Sequence, residues 1–60
     1  MNTLTYNCLG DSRTYVMTCS DEWLDMYIDL LFENEAYKVI LNNTVEFTNK
    51  STYDVWKNKQ

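Results

Sequence analysis

The sequence contains no histidine and no proline, and it has a single glycine, Gly10. Without histidine the chain lacks the commonest general base of enzymes and cannot form Ser-His or Cys-His nucleophile pairs. One glycine cannot make the glycine-rich loop that cradles phosphate groups. Cys8 and Cys19 stand alone, without the further ligands that a zinc site needs. We therefore expect that the chain is not an enzyme and holds neither a metal nor another cofactor.

Basic residues are also scarce, since five Lys and Arg stand against nine Asp and Glu, a formal net charge of −4. Nucleic-acid binding draws most of its affinity from Lys and Arg on phosphates, so direct binding by the body of the chain is disfavoured. Apolar runs such as Val39–Leu41 fall far short of the roughly 20 residues of a membrane span. The first residues lack the basic region and the long apolar stretch of a secretory segment, so we expect a cytoplasmic protein outside the membrane.

What remains is the composition of a folded domain, with 45% hydrophobic and 15% aromatic residues. Such side chains can offset the conformational entropy lost on ordering the chain. Sixty residues make one domain at most, and a domain of that size buries only about 60% of its unfolded surface. We expect a single domain over residues 1–60, with self-association as one means of enlarging its core.

A β-hairpin is predicted at the beginning of the chain. Thr3–Leu9 and Arg13–Cys19 alternate between two faces, and Gly10–Ser12 is a turn signal between them. In the register that this turn imposes, Cys8 faces a residue near Arg13–Tyr15 and Cys19 faces one near Asn2–Leu4. The two sulfurs then lie more than about 10 Å apart, whereas a disulfide needs Cα atoms within about 7 Å. The pattern predicts two buried free thiols.

An amphipathic helix is predicted to follow, with Ser20 as its N-cap and Asn34 as a left-handed stop. No Gly, Pro or Thr interrupts this segment, and acids occupy its first turn, where the helix dipole favours them. Its core-facing stripe has the spacing i, i+3, i+4, i+7 and consists of Leu24, Tyr27, Ile28 and Leu31.

A second hairpin is predicted from Tyr37–Leu41 and Thr44–Thr48, joined by Asn42–Asn43, because Asn tolerates the positive φ of a tight turn. The order β-β-α-β-β-(β) favours an α+β fold in which a single helix packs on a small antiparallel sheet.

The segment 52–58 is ambiguous. Ser51-x-x-Asp54 resembles a helix capping signal, and Tyr53 and Trp56 share a helical face. Tyr53 and Val55 also alternate with their neighbours as in a strand, and Thr, Tyr, Val and Trp prefer strands. We favour a strand.

Charge is distributed unevenly, because residues 20–35 hold six acids and no basic residue. Four of the acids are spaced i, i+3, i+7 and i+11, opposite the apolar stripe: Glu22, Asp25, Asp29 and Glu33. Like charges at i, i+4 cost about 0.2–0.5 kcal/mol each, and a helix selected only for stability would alternate their sign. The row is either an ordinary solvated face or a surface that docks on a basic partner, in imitation of a phosphate backbone.

The helix is apolar over more than half its circumference, so some of its large side chains are expected to be exposed or to meet a second protein. Trp23 and Phe32 flank the acids as an aromatic anchor would. The predicted partner-binding residues are Glu22, Trp23, Asp25, Asp29, Phe32 and Glu33. The function favoured is a protein-binding regulator or inhibitor of the phage or mobile-element type, in keeping with a composition typical of AT-rich genomes.

Two alternatives stay open. The same helix residues could be buried in a homodimer. The tail, with Lys50, Lys57 and Lys59 beside Tyr53 and Trp56, could serve a nucleic-acid accessory protein. The simpler interpretation of the tail is that its aromatic residues close the core and its lysines keep the terminus soluble.

Overall fold

A computed structural model describes residues 1–60 as a four-stranded sheet and two α-helices. In chain order the elements are β1 (Asn2–Cys8), β2 (Thr14–Cys19), α1 (Leu24–Glu33), β3 (Ala36–Leu41), β4 (Val45–Phe47) and α2 (Lys50–Asn58). All strand pairs are antiparallel, in the order β2-β1-β3-β4. The predicted α+β fold with a helix on a small antiparallel sheet is confirmed, and a second helix completes it.

The first hairpin has the register expected from its turn. Asn2 pairs with Cys19 and Tyr6 pairs with Tyr15, without a bulge between them. Cys8 lies at the other end of β1, beside Ala36 of β3, so the two cysteines are far apart and both are free thiols, as predicted. Cys19 is buried as expected, but Cys8 is only half-buried.

The helical segment begins and ends differently from the prediction. Ser20 is extended, but its side chain makes no capping hydrogen bond, and a 3-10 turn, Asp21–Trp23, leads into α1. Asn34 is not the left-handed stop, because its N–H still donates to the carbonyl of Leu30 at 3.0 Å. The chain reverses one residue later, at Glu35, whose φ is +71°.

The turn between β3 and β4 uses asparagine as predicted. Asn42 and Asn43 have φ of 51° and 58°, and the N–H of Thr44 donates to the carbonyl of Leu41 at 3.0 Å. The side chain of Asn42 extends the sheet, since its Oδ1 accepts from the N–H of Thr3 at 2.8 Å.

The preference for a strand in segment 52–58 was wrong, because residues 50–58 form α2. The helix begins with a capping box in which the side chain of Asn49 accepts from the N–H of Thr52 at 2.9 Å. The Oγ1 of Thr52 accepts in return from the N–H of Asn49 at 3.3 Å. The signal at Ser51-x-x-Asp54 was therefore misplaced by two residues. Tertiary packing of Tyr53 and Trp56 outweighs the strand propensities of this segment.

Both helices cover one face of the sheet, and the core lies between the two layers. The side chains that are essentially inaccessible are Leu4, Ile28, Val39, Phe47 and Tyr53. The predicted stripe of α1 is confirmed, since Ile28 is fully buried and Leu24, Tyr27 and Leu31 pack beside it. The opposite face of the sheet has no covering layer. By alternation along the strands it carries Thr3, Thr5, Asn7, Thr14, Val16, Thr18, Lys38, Ile40 and Glu46.

Candidate protein-binding surface

The six predicted partner-binding residues lie on the 3-10 turn and on α1, but they are not equally accessible. Glu22, Asp25, Asp29 and Glu33 are exposed, and Trp23 keeps 49% of its surface open to solvent. Phe32 is half-buried and packs against the core. Trp23, rather than Phe32, is therefore the aromatic residue that a partner could reach.

Asp25, Asp29 and Glu33 form an acidic row along α1, with one carboxylate per turn. Successive carboxylates are four residues apart, or about 6 Å along the helix axis. Asp29 and Glu33 make no salt bridge, nor does Glu22 beside them. Most of the negative charge on this side of the molecule is thus free to act on other molecules.

Asp25 departs from the expectation that the row has no basic partner. Its carboxylate forms an ion pair with Lys57 of α2 and also accepts a hydrogen bond from the hydroxyl of Tyr53. Lys57 first, and Tyr53 second, hold the pKa of Asp25 below its ordinary value. These contacts could not be predicted from the sequence, because Asp25 and its two partners lie on different helices that only the fold brings together.

An apolar stripe lies on α1 and the turn before it, next to the acidic row. Trp23, Met26 and Leu30 are spaced i, i+3 and i+7, and 49%, 43% and 41% of their surfaces are exposed. The sheet is narrow, and Ile28 and its neighbours already fill the space above it. Met26 and Leu30 were missing from the predicted site. Their spacing from Trp23, on the side of the helix between the acids and the core stripe, was the signal that could have found them.

The aromatic residues of the tail belong to the core. Tyr53 is 1% exposed, and Trp56 packs at 64° to the ring of Phe47, with ring centroids 5.5 Å apart. Lys50 donates to Asp54 at 2.9 Å, which is the main reason that its pKa is raised. The rings are therefore not available as a stacking platform for bases, and they fit the simpler interpretation of the tail.

A second cluster of polar groups lies in the turn of the first hairpin. The carboxylate of Asp11 accepts from Arg13 at 3.1 Å and 3.2 Å and from the hydroxyl of Tyr15. Arg13 first, and Tyr15 second, hold the pKa of Asp11 far below its usual range. Tyr15 in turn stacks on Tyr6 with ring centroids 5.4 Å apart. All of these contacts are local, and they brace the turn.

The structure has no pocket, and no three Cys, Asp or Glu side chains are gathered as they would be around a metal ion. Neither helix has the length and apolar character needed to cross a membrane. No family model, no curated protein and no solved structure matches the chain. The feature of this molecule that most resembles a functional surface is the outer side of α1, where the apolar stripe and the acidic row lie next to each other.

Proposed function

We propose that the chain is a small protein-binding module that docks the outer side of α1 on a basic surface of another protein. The observation that carries the proposal is the pairing of an exposed apolar stripe with a row of acids that are mostly free of salt bridges. Exposed apolar side chains rimmed by charge are typical of interaction sites.

The apolar stripe would supply most of the affinity. Trp23 is its largest member, and Trp is enriched among the few residues that dominate binding energies. Met26 adds a flexible side chain that adapts to the shape of a partner. Burial of the stripe would remove its exposed apolar surface from water at about 25 cal/mol per Å².

The acidic row would supply speed and selectivity. Carboxylates in a regular row attract a surface rich in Lys and Arg and raise the rate of association, an effect that salt weakens. A basic surface that normally binds phosphates would meet a similar pattern of charge on α1. We therefore propose a cytoplasmic regulator or inhibitor of the phage or mobile-element type that occupies the nucleic-acid site of its partner.

The same surface is poorly suited to a homodimer. A two-fold contact between two copies of α1 would bring the acidic rows of both chains together, and like charges at an interface disfavour it. The alternative function, nucleic-acid binding by the tail, is not supported, because Tyr53 and Trp56 pack in the core.

The test is affinity capture from a lysate of the host cell with four immobilised forms of the full chain. These are the wild type, Trp23→Ala, Asp29→Lys/Glu33→Lys, and the control Glu35→Lys/Glu46→Lys, which changes the net charge equally but lies off the row. Asp25 is left intact because it binds Tyr53 and Lys57. We expect the wild type and the control to retain the same protein, which elutes in high salt and is rich in basic residues.

The variant Asp29→Lys/Glu33→Lys should lose that protein. Equal retention of the protein by this variant and by the control would refute a role for the acidic row in binding. Undiminished retention by Trp23→Ala would refute a role for the apolar stripe. Far-UV circular dichroism of each form checks that the fold is intact.

A further inference from the structure

The two edges of the sheet differ in a way that bears on association. At one edge, β4 has only three residues, with Glu46 at its centre. At the other edge, β2 has six residues, Thr14–Cys19, and contains no charge, no proline and no bulge. Proteins usually protect a free edge with short strands, charges, prolines or bulges, because unpaired backbone groups invite another strand. The edge at β4 has such protection and the edge at β2 does not.

The hydrogen bonds of β1 show which groups of β2 face outward. The N–H of Thr3 donates to Asn42 Oδ1, and its carbonyl accepts from the N–H of Asn42, each at 2.8 Å, so its backbone faces β3. By alternation, Asn2, Leu4 and Tyr6 face β2. Their partners on β2 are Cys19, Met17 and Tyr15. The N–H and carbonyl groups of Thr14, Val16 and Thr18 therefore point away from the sheet, along the free edge.

Ser20 extends this edge by its N–H alone. Its backbone is extended, with φ −77° and ψ 164°, and continues the alternation of Thr14, Val16 and Thr18. Its carbonyl, however, accepts from the N–H of Trp23 at 3.1 Å. Val16 also presents its side chain to solvent, with 65% of its surface exposed. The edge thus presents a row of unpaired N–H and carbonyl groups beside an exposed β-branched side chain.

We propose that a second copy of this chain pairs with β2 in antiparallel fashion and joins the two sheets into one of eight strands. A two-fold axis normal to the sheet keeps the helices of both copies on one side. An axis through Val16 or Met17 pairs the greatest length of the two strands, because the centre of β2 lies between these two residues.

Charge selects the axis through Met17. In that register Val16 pairs with Thr18 of the second copy, and the N–H of Ser20 reaches the carbonyl of Thr14 of the second copy, which provides about six backbone hydrogen bonds. Arg13, whose guanidinium also binds Asp11 of its own chain, then lies near Asp21 of the second copy, once at each end of the contact. Both side chains are exposed, and β2 itself brings no other charge to the interface. An axis through Val16 would leave Arg13 opposite an uncharged Cys19.

The first test is sedimentation equilibrium of the full chain from micromolar concentration upward. We expect the mass to rise from 7.2 kDa toward twice that value. Val16→Lys should raise the dissociation constant of the dimer by at least about tenfold, and Val16→Pro should do the same because it removes one outward N–H. Val55→Lys is the matched control, since Val55 is 55% exposed but lies on α2. A wild type that stays monomeric throughout overturns the proposal, as does an unchanged dimer in both Val16 variants.

The second test uses charge and fixes the register. Arg13→Glu alone places Glu beside Asp21 of the second copy, and Asp21→Arg alone places Arg beside Arg13, so each variant should dimerise less than the wild type. A mixture of the two has complementary charges at both ends and should form a heterodimer. A mixture that associates no better than either variant alone overturns the pairing about Met17. Since the edge of β2 and the outer side of α1 are separate surfaces, this dimer and the binding of a basic partner can fail independently.

Discussion

The hydroxyl of Tyr53 donates a hydrogen bond to the carboxylate of Asp25, and this contact ties α2 to α1. The ring of Tyr53 is buried edge-on against Phe47, with centroids 5.3 Å apart, whereas 54% of the Asp25 side chain is exposed. One end of the contact therefore lies in the core and the other in the acidic row. Asp25 stabilises the fold in addition to any part that it plays in binding.

Replacing Tyr53 with Phe should keep the ring and lose only the hydrogen bond. We expect the free energy of unfolding to fall by about 1 kcal/mol, which is less than for a fully buried bond to a charged group because Asp25 is partly solvated. Urea denaturation measures the change. Tyr37→Phe is the control, since Tyr37 is 45% exposed, and an equal loss in both variants would contradict this role for the Tyr53 hydroxyl.

The stability of the chain should also fall in alkali because of Tyr53. Burial first, and the bond to Asp25 second, raise the pKa of Tyr53 above its ordinary value of 10.0. A group whose pKa is raised by folding adds stability below its unfolded pKa, and that stability is lost as pH rises beyond it. The free energy of unfolding should decline above pH 10 in the wild type and less steeply in Tyr53→Phe. Parallel curves would show that this tyrosine does not contribute.

Acid should weaken the fold through Asp25. Lys57 first, and Tyr53 second, lower the pKa of Asp25 below its ordinary value of 3.8. A group whose pKa is lowered by folding adds stability above its unfolded pKa, and that stability disappears as pH falls through the lowered value. The stability of Asp25→Asn should therefore change less than that of the wild type between about pH 5 and pH 2. Asp29→Asn, which removes an acid without a salt bridge, should follow the wild type.

The two candidate helix caps should respond differently to truncation. Asn49→Ala removes the side-chain oxygen that accepts from Thr52 and should cost about 1 kcal/mol. Ser20→Ala removes a side chain that makes no capping bond and should cost less than about 0.5 kcal/mol. Chemical denaturation of both variants provides the comparison, and a larger loss at Ser20 would contradict the observed beginning of the helix.

Glycine at position 35 should stabilise the chain. Glu35 has φ of +71°, a conformation that an ordinary side chain disfavours and glycine adopts freely. We expect Glu35→Gly to raise the free energy of unfolding by about 0.5–1 kcal/mol. Asn34→Gly, one residue earlier and at φ −105°, should be destabilising. It removes the amide that donates to the carbonyl of Leu30 at 2.7 Å. Urea denaturation of both variants measures the two changes. A higher denaturation midpoint for Asn34→Gly than for Glu35→Gly would contradict the left-handed stop at Glu35.

The predictions that succeeded depend on local pattern. Alternation in β1 and β2 was enough to place Cys8 away from Cys19, and the spacing around Ile28 was enough to orient α1. Both features depend on patterns that repeat within a few residues, so they can be recognised in the sequence. The turn at Asn42 belongs with them, because its backbone requirement is met by the residue type alone.

The predictions that failed depend on contacts between distant segments. Asp25 accepts a hydrogen bond from Tyr53, which is 28 residues away, and no pattern in the sequence predicts this contact. Packing of Tyr53 and Trp56 against Phe47 favours a helix in segment 50–58, although its side chains prefer strands. On α1, Phe32 packs inward and Met26 does not, and this difference depends on how the rest of the fold surrounds the helix.

The position of β1 in the middle of the sheet has a consequence for the order of assembly. Its pairing with β2 closes a short loop, whereas its pairing with β3 joins Leu4 to Leu41 across most of the chain. Closing the longer loop costs more entropy, so the first hairpin should form early and the arrival of β3 should set the folding rate. Until then the helix-facing side of the hairpin is open to water and to other chains.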